Sequence, residues 1–318
     1  MNKITPLVSI VLPTYNGENF IAKAIESILK QTYTNFELVI VDDCSTDRTN
    51  QIINSFANKD GRIQVIRNDK NKKLPASLNI GFNVTKGEYY TWTSDDNEYH
   101  PEAIEKMVNF LNRNLDFGMV YARTNVEKNG EIEPYIWCDQ PTTPETLLRL
   151  CVPGACFMYR ADVAKHVGRY DEKAFLNEDH DYWLRILLHS NIWNLKDILY
   201  LYRITSDNLT NTRQEEIKKG KILLLRKYRN IYSKHFPEIK EIYKNELIFD
   251  KFIQGKLTFK ECKKRIPKKL LYQYLKEEYL YIDKNLNYIK NIMQLGFIYF
   301  FKGLNLTLKY SRSKDVRK

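Results

Sequence analysis

Four short β-rich runs alternate with helical segments over the first 93 residues, and this alternation restricts the fold more than any other feature. The apolar runs cover residues 7–12, 36–41, 63–67 and 88–93, and the predicted helices between them cover residues 18–31, 47–58 and 74–84. Strands that alternate with helices of this length form β-α-β units, whose strands are parallel. The sequence therefore predicts an α/β fold with a mostly parallel sheet flanked by helices.

Polar residues follow three of these strands at their carboxyl ends. In open parallel sheets, ligands bind beyond the carboxyl ends of the strands. We therefore expect one shared rim to be formed by the following residues: Pro13, Thr14, Tyr15 and Asn16 after the first strand, Asp42 and Asp43 after the second, and Asp95 and Asp96 after the fourth.

The fourth strand ends on two adjacent carboxylates, Asp95 and Asp96. Like charges at a strand end repel, so they must be hydrated or neutralised. A divalent cation that carries a diphosphate would neutralise them, because hard cations prefer carboxylate oxygen and keep open positions for phosphate. A solvated acidic turn is the alternative.

The chain changes character near residue 213. Before that point we predict strands at residues 118–126, 132–137 and 193–202, a helix at 144–150, a glycine bend at 153–154 that leads into a strand, and a helix from about residue 179. Beyond residue 212 the chain is rich in Lys and Tyr and has a helical pattern. These features predict two domains, residues 1–213 and a basic, Tyr-rich helical appendage at residues 214–318.

Charge is distributed unevenly between the two parts. The net charge is +11, and residues 214–318 hold 26 Lys and Arg against 11 Asp and Glu, which leaves 24 against 28 in residues 1–213. Such asymmetry reports on partners rather than on fold.

The five cysteines are scattered without a C-x-x-C pair, which is typical of reduced thiols in a cytosolic protein. No run approaches the roughly 18 apolar residues of a spanning helix, so we expect a cytoplasmic protein that does not cross a membrane.

Ordered motifs connect these strand ends with a later helix. They are VSIVLPTYN (8–16), SILKQT (27–32), ELVIVDDCSTD (37–47), GEY (87–89), SDDN (94–97) and EDHDYWLR (178–185). Together they resemble the family 2 glycosyltransferases with a GT-A (Rossmann-like) fold, over about residues 5–212. The resemblance implies that residues 1–213 bind a nucleotide-sugar and catalyse transfer of its sugar, a hexosyl or N-acetylhexosaminyl group, with inversion. It also implies a metal-held diphosphate and a carboxylate base.

The resemblance assigns the first two strand ends to the nucleotide. Contacts with the nucleotide are expected from Pro13, Thr14, Tyr15 and Asn16. A core aromatic is the alternative for Tyr15. By analogy Asp42 or Asp43 accepts a hydrogen bond from the uracil ring N–H, which favours UDP, and the alternative is that one of these acids caps the next helix.

The resemblance assigns Asp96 to a divalent metal, Mn²⁺ or Mg²⁺, and Asp95 to the ribose or the hydration shell of the metal. The chain departs from the D-x-D pattern of the family, because Ser94 stands where the first acid would be. Two acids instead of three lower the affinity for the cation. We therefore expect the metal to bind tightly only together with the diphosphate.

The role of catalytic base falls on Asp179, near the start of a predicted helix. An inverting transfer needs a carboxylate on the acceptor side that takes a proton as the hydroxyl attacks in line. A helix N-cap is the structural alternative. Glu178 is expected to orient the acceptor or the metal ligands, and His180 is expected at the surface. Trp183 is expected in the core, with a contact to a sugar as the alternative.

The remaining candidates concern the acceptor and the leaving group. Gly154 and Ala155 are predicted to form the acceptor floor, since glycine permits close approach of the backbone, and a plain turn is the alternative. Many relatives carry a histidine where this chain has Thr205, so stabilisation of the diphosphate would depend on the metal and on Arg203. Lys73 is a further candidate for a phosphate contact, and a solvated lysine is the alternative.

An apolar stretch with nearby lysines at residues 289–302 fits a helix that lies on an anionic membrane surface. Docking of this kind at the inner face of the cell membrane would bring the active site to a lipid-linked saccharide acceptor. A helical appendage packed on the catalytic domain or on a second subunit is the alternative. The tail contains no recognisable nucleic-acid-binding module, and we expect no nucleic-acid partner.

The sequence thus predicts a metal-dependent transferase that uses a UDP-sugar and a saccharide acceptor, of the type that assembles bacterial surface polysaccharides. Two other functions stay open. One is a nucleotide-sugar-binding module without turnover. The other is a sugar-phosphate nucleotidyltransferase, which would need a glycine-rich loop with Arg or Lys after the first strand, where this chain has TYNG (14–17).

Overall fold

The computed structural model describes residues 5–134, 139–140, 142–205, 208–253, 257, 259–267 and 270–271. The chain divides into two compact units, Met1–Lys240 and Glu241–Lys318. The change in composition at residue 213 therefore lies inside the first unit. The functional division at that residue stays a prediction.

The first unit has an α/β architecture. Its elements are β1 (Val8–Thr14), α1 (Ile21–Leu29), β2 (Phe36–Asp42), α2 (Thr49–Ala57), β3 (Ile63–Arg67), α3 (Leu74–Phe82), β4 (Tyr89–Trp92), β5 (Glu98–Tyr99), α4 (Ala103–Arg113), β6 (Phe117–Lys128), β7 (Glu131–Pro134), α5 (Pro144–Arg149), β8 (Phe157–Arg160), α6 (Ala161–Val167), α7 (Glu178–Leu187), β9 (Asn191–Ile204), α8 (Leu209–Thr212) and α9 (Gln214–His235). Helix α10 (Pro237–Ile242) begins in the first unit and ends in the second, which contains α11 (Lys244–Ile253) and α12 (Phe259–Arg265).

The strands of the first unit form one sheet in the order β3-β2-β1-β4-β8-β6-β9-β5, with β7 paired to β6. The half formed by β3, β2, β1 and β4 is parallel, as the sequence predicts. The other half is mixed, because β8 runs antiparallel to both β4 and β6 while β9 runs parallel to β6. The predicted α/β class with a sheet between helices is confirmed.

Strand β1 is buried along its whole length because helices cover both faces of the sheet. Ile25 and Ile28 of α1 belong to the same core cluster as Ile10 of β1. On the other face α3 lies so close that a Cβ at Gly81 would stand 2.5 Å from one methyl group of Val11 and 3.2 Å from the other. Covering on both faces explains why the strand sequence is a continuous apolar run.

The motif at residues 27–32 has a structural role in this fold. The Ser27 hydroxyl accepts a hydrogen bond from the Tyr99 N–H (3.1 Å). The Gln31 side chain donates to the His100 carbonyl (2.8 Å) and accepts from the Ile104 N–H (3.0 Å). These bonds attach the C-terminal end of α1 to β5 and α4. They therefore fix the chain directly after the acids that follow β4.

Several predicted elements differ from the structure in their ends. The strand predicted at residues 132–137 corresponds to β7, which covers Glu131–Pro134, and residues 135–138 lie outside the described residues. The apolar stretch at residues 289–302 also lies outside them. Among the helices that the structure does describe, none is both long enough and apolar enough to span a bilayer.

Candidate functional site

The carboxyl ends of β1, β2 and β4 lie side by side, because β1 pairs in parallel with both of its neighbours. Pro13 and Thr14 are the last residues of β1 and are buried. The Thr14 carbonyl accepts a hydrogen bond from the Asp43 N–H (2.8 Å), and the Thr14 hydroxyl donates to Asp95. The polar groups of three strand ends therefore share one rim.

Gly17 lies directly against the Thr14–Asp95 pair. A Cβ at Gly17 would overlap Asp95 Oδ2 and stand 2.8 Å from Thr14 Oγ1, so any side chain here would displace the carboxylate. Removal from water raises the pKa of Asp95 to about 7, the Thr14 hydrogen bond opposes this shift, and the neighbouring Asp96 adds to it. The role of Gly17 is not visible in the sequence, because its contact with Asp95 joins residues far apart along the chain.

Asp96 carries an acceptor that no donor satisfies. Its Oδ1 is buried and, within the described part of the chain, has no hydrogen-bond partner. Burial raises the pKa of Asp96, although the nearby charge of Arg203 acts in the opposite direction. A carboxylate oxygen in this state is the type of ligand that a hard cation takes. No group of three or more His, Cys, Asp and Glu side chains among the described residues could hold a metal ion.

Arg203 hydrogen-bonds to the backbone of the acidic segment after β4. Its guanidinium donates hydrogen bonds to the Asp96 carbonyl (2.5 Å), Glu98 Oε1 (2.7 Å) and Glu127 Oε2 (3.0 Å). The side chain is nearly buried, and two carboxylates balance its charge. The structure thus gives Arg203 partners within the protein, and its contact with a diphosphate stays a prediction.

The two acids after β2 differ in their surroundings. Asp42 is fully buried and accepts a hydrogen bond from the Ser45 N–H (2.8 Å) at the start of the following loop. Asp43 is buried as well and accepts hydrogen bonds from the backbone N–H groups of Lys72 and Lys73, each at 2.8 Å, and from the Asn68 side chain (2.7 Å). Because a carboxylate offers about four acceptor positions, Asp43 retains capacity for one further donor. Which of the two acids contacts a base stays a prediction.

Two loops complete the nucleotide side of the rim. Tyr15 is 49% exposed, so the core-aromatic alternative is wrong. The Asn16 side chain accepts a hydrogen bond from the Thr46 N–H (2.8 Å) and ties the loop after β1 to the loop after β2. The Lys73 ammonium lies 4.9 Å from the centre of the Phe175 ring, in the segment that precedes α7. The nucleotide side thus contacts the segment that leads to α7.

Asp179 is the second residue of α7 and not its N-cap, which is Asn177. Its Oδ1 accepts a hydrogen bond from the adjacent His180 N–H (2.6 Å), and its Oδ2 accepts one from the Cys151 thiol (3.4 Å). Burial raises the pKa of that thiol, and the Asp179 charge raises it further. Cys151 carries no functional signal in the sequence, and the structure makes it a neutral donor beside the carboxylate.

Tyr202, near the end of β9, is subject to the charges of both Asp96 and Asp179. Burial raises the pKa of Tyr202, its hydrogen bond with Thr210 opposes the shift, and the charges of Asp96 and Asp179 add to it. That Asp96 and Asp179 face one cleft stays a prediction.

Aromatic side chains connect β4 with α7. The Trp92 indole N–H donates to the Tyr170 hydroxyl (3.0 Å), and the Tyr170 ring stacks on Tyr182 with a centroid distance of 4.0 Å. Trp183 is fully buried, with its ring centroid 4.4 Å from that of Phe157. The core position expected for Trp183 is correct, and burial rules out a direct contact with a sugar.

Two further residues of the first turn of α7 are buried. Burial raises the pKa of Glu178 to about 8, and the charge of Asp179 adds to the shift. Its Oε2 has no hydrogen-bond partner among the described residues. His180 is buried as well, and its ring donates to the Leu147 carbonyl of α5 (2.7 Å). The expectation that His180 lies at the surface is wrong, because α5 covers this face of α7.

The predicted acceptor floor lies close to Asp179. Gly154 has φ +59° in the turn before β8, and the Gly154 and Ala155 side of this turn is half-buried. Only two residues separate Gly154 from Cys151, which contacts Asp179. The segment before β8 and the first turn of α7 are therefore joined by the Cys151–Asp179 hydrogen bond.

Comparisons with known proteins agree with this arrangement. The chain matches the family model described as Glycosyl transferase family 2 over residues 9–168. It is 30% identical over 260 residues to an uncharacterized glycosyltransferase of Rickettsia prowazekii, a match that covers 79% of this chain and 77% of that protein. It is similar in structure to S. aureus TarS 1–349 in complex with UDP-GlcNAc, with a TM-score of 0.62 and 21% identity over 80% of this chain and 77% of that one.

A further structural likeness is to the mannosyltransferase PcManGT from Pyrobaculum calidifontis in complex with GDP-Man and Mn²⁺. Its TM-score is 0.55, with 14% identity over 96% of this chain and 89% of that one. At these identities the two solved structures show the fold alone. That fold is of the GT-A type.

The raised pKa of Glu178 predicts how stability depends on pH. The folded protein keeps this proton up to about pH 8, whereas an unfolded glutamate releases it near pH 4.5, so stability falls as the pH rises between these values. Between pH 5 and pH 8 the free energy of unfolding should fall by roughly 3 kcal/mol less in Glu178→Gln than in wild type. Urea denaturation at both pH values measures this, with the exposed Glu131→Gln as the control. Equal pH dependence in wild type and Glu178→Gln would contradict the assignment.

Proposed function

The chain belongs to glycosyl transferase family 2, and we propose that it is an inverting enzyme that transfers a sugar from a UDP-sugar to a saccharide acceptor hydroxyl. The observation that carries the proposal is the rim of strand ends, where the Thr14 carbonyl and hydroxyl bond to Asp43 and Asp95, and where Asp96 has a buried oxygen without a donor among the described residues. Asp179 lies in the first turn of α7, and its charge and that of Asp96 both raise the pKa of Tyr202.

Two groups at the rim support a uracil nucleotide. The exposed ring of Tyr15 offers a surface for a base, and Asp43 has acceptor capacity for the uracil ring N–H, a donor that cytosine lacks. The structurally similar TarS has been solved with UDP and with UDP-GlcNAc. These observations favour UDP as the carrier of the sugar.

The acids after β4 fit a divalent cation, Mn²⁺ or Mg²⁺. Asp96 would hold it through the buried Oδ1, which no donor satisfies within the described residues, and Asp95 lies beside it. When bound, the cation would supply positive charge to the diphosphate leaving group. The structurally similar PcManGT has been solved with Mn²⁺. Because Arg203 is already paired with two carboxylates, positive charge from a cation is the more important for this chain.

Asp179 would perform the proton transfer. As the acceptor oxygen bonds to the anomeric carbon, the bond from that carbon to the diphosphate breaks, and Asp179 takes the hydroxyl proton. Attack from the face opposite the leaving group inverts the configuration. Glu178 keeps its proton at neutral pH, so it adds no second negative charge beside Asp179.

Asp179→Asn tests the base directly. We expect the rate of UDP release from a UDP-sugar, measured with a panel of UDP-, GDP- and dTDP-sugars, to fall at least about 100-fold. Affinity for UDP, measured by calorimetry, should stay within a factor of two, since the nucleotide contacts lie on β1 and β2. Retained turnover would reject Asp179 as the base. A wild-type protein that binds UDP without releasing it from any donor would favour the binding-module function.

Asp96→Asn tests the cation. In wild type, we expect Mn²⁺ to increase the affinity for UDP at least 10-fold, because the cation and the diphosphate bind together. The variant should bind UDP with the same affinity with and without Mn²⁺. Calorimetric titrations at fixed pH give both numbers, and an unchanged response to Mn²⁺ in Asp96→Asn would remove Asp96 from the site.

The basic C-terminal region supports a location at a membrane surface. We propose a cytoplasmic protein whose residues 214–318 dock on anionic lipid at the inner face of the membrane, where a lipid-linked saccharide is accessible. The excess of Lys and Arg in this region is the supporting observation. The full chain should float with phosphatidylglycerol vesicles at low salt and not with phosphatidylcholine vesicles. Equal recovery with both would contradict the proposal.

A further inference from the structure

Helix α9 packs against α5 and hydrogen-bonds to α7 within the first unit. Three of its side chains donate hydrogen bonds to α7. Lys227 Nζ (3.0 Å) and the Tyr228 hydroxyl (2.7 Å) donate to Asp181 Oδ1, and the Tyr232 hydroxyl donates to the Leu184 carbonyl (2.7 Å). The two tyrosines are buried and lie four residues apart, on one face of α9. This face of α9 therefore packs against α7.

Asp181 is the centre of these contacts. It is fully buried, and it lies two residues after Asp179 on the same helix. Its other oxygen accepts a hydrogen bond from Arg185 Nε (2.9 Å). Burial acts to raise the pKa of Asp181, but Arg185, Tyr228 and Lys227 together outweigh burial and hold it below its usual value. Asp181 is thus an ionised carboxylate whose position is fixed by three donors.

Gly220 of α9 lies against the N-terminal end of α7. A Cβ at Gly220 would overlap Asn177 Nδ2 and stand 3.0 Å from Asn177 Cγ. Asn177 is buried and is the N-cap residue of α7. Glycine inside a helix is unfavourable, so its presence in the second turn of a 22-residue helix needs a reason. Close approach of α9 to the start of α7 supplies that reason.

We infer that α9 sets the position of the Asp179 carboxylate, with Asp181 as the positioning residue through which it acts. The contacts from α9 reach α7 at Asn177 and again at Asp181, on both sides of Asp179. This inference rests on the proposed function, in which Asp179 takes the acceptor proton. A displacement of about 1 Å at a reacting group can lower a rate about 100-fold, so the fit between the helices matters for catalysis.

Tyr228→Phe and Gly220→Ala test the inference. Tyr228→Phe keeps the buried ring and removes one donor to Asp181. Gly220→Ala removes no contact and forces Asn177 to move. For both variants we expect the rate of UDP release from a saturating UDP-sugar, with water as the acceptor, to fall about 10-fold or more. The KM for the UDP-sugar and the calorimetric Kd for UDP should change less than twofold, because β1 and β2 carry the nucleotide contacts.

Leu223→Ala is the matched control, because this side chain on α9 is 65% exposed. Its rate should equal that of wild type. A purely structural role for α9 predicts a lower Tm with an unchanged kcat per folded molecule. Helix propensity alone predicts that Gly220→Ala is more stable than wild type and fully active. Either of these results would overturn the inference.

Hydrogen exchange separates this inference from the proposed function. Tyr228→Phe should increase the exchange rates of amides in α7 at least 10-fold and leave those of β1 and β4 unchanged, whatever reaction the protein catalyses. If wild type releases no UDP from any UDP-sugar, the proposed function fails. The amide exchange rates of α7 still decide whether α9 holds α7 in place. Unchanged exchange in α7 would overturn the inference.

Discussion

The parallel pairing of β1 with both β2 and β4 is the constraint on which the rest of the site depends. Parallel neighbours end at the same edge of the sheet, so the residues after each strand must meet there. The Thr14 carbonyl and hydroxyl then bond to Asp43 on one side and to Asp95 on the other. Arg203 then bonds to the Asp96 carbonyl at this same edge.

The site is assembled at a cost in stability. Glu178 and Asp96 are acids with raised pKa values, and each has a buried oxygen that no donor satisfies within the described residues. Backbone strain is concentrated in the same region: positive φ angles of about 54–74° occur at the non-glycine residues Asn16, Cys44, Lys73 and Leu176, and among the described residues only Asn129, in the turn between β6 and β7, has one elsewhere. Such features each cost about 1–3 kcal/mol and persist where surrounding packing enforces them. Their grouping around the rim is typical of a functional site.

The rim was predictable from the sequence because a strand covered on both faces is a continuous apolar run, and the polar residues after it stand out. The predicted run at residues 36–41 and the observed β2, Phe36–Asp42, nearly coincide. Helix ends were less predictable: α1 covers Ile21–Leu29, inside the predicted residues 18–31. Propensity changes gradually along a helix, whereas a buried strand ends where burial ends.

Contacts between elements that are far apart in the chain decide the roles of some residues, and these roles were not predictable from the sequence. His180 is buried because α5 supplies a carbonyl from Leu147, 33 residues earlier. Arg203 is engaged because Glu98 and Glu127 reach it from two other strands. In each case the residue type allows either role, and only the three-dimensional arrangement decides between them.

The contact between α9 and Asp181 limits where chimeric proteins can be joined. Composition alone suggests exchanging C-terminal regions among relatives at residue 213, where lysines and tyrosines become abundant. A junction there would provide Asp181 with foreign partners in place of Lys227 and Tyr228 and leave a buried negative charge to whatever replaced them. A junction after His235 transfers the tail and keeps the native partners of α7 together. The structural unit that contains α7 and its partners is thus longer than the change in composition suggests.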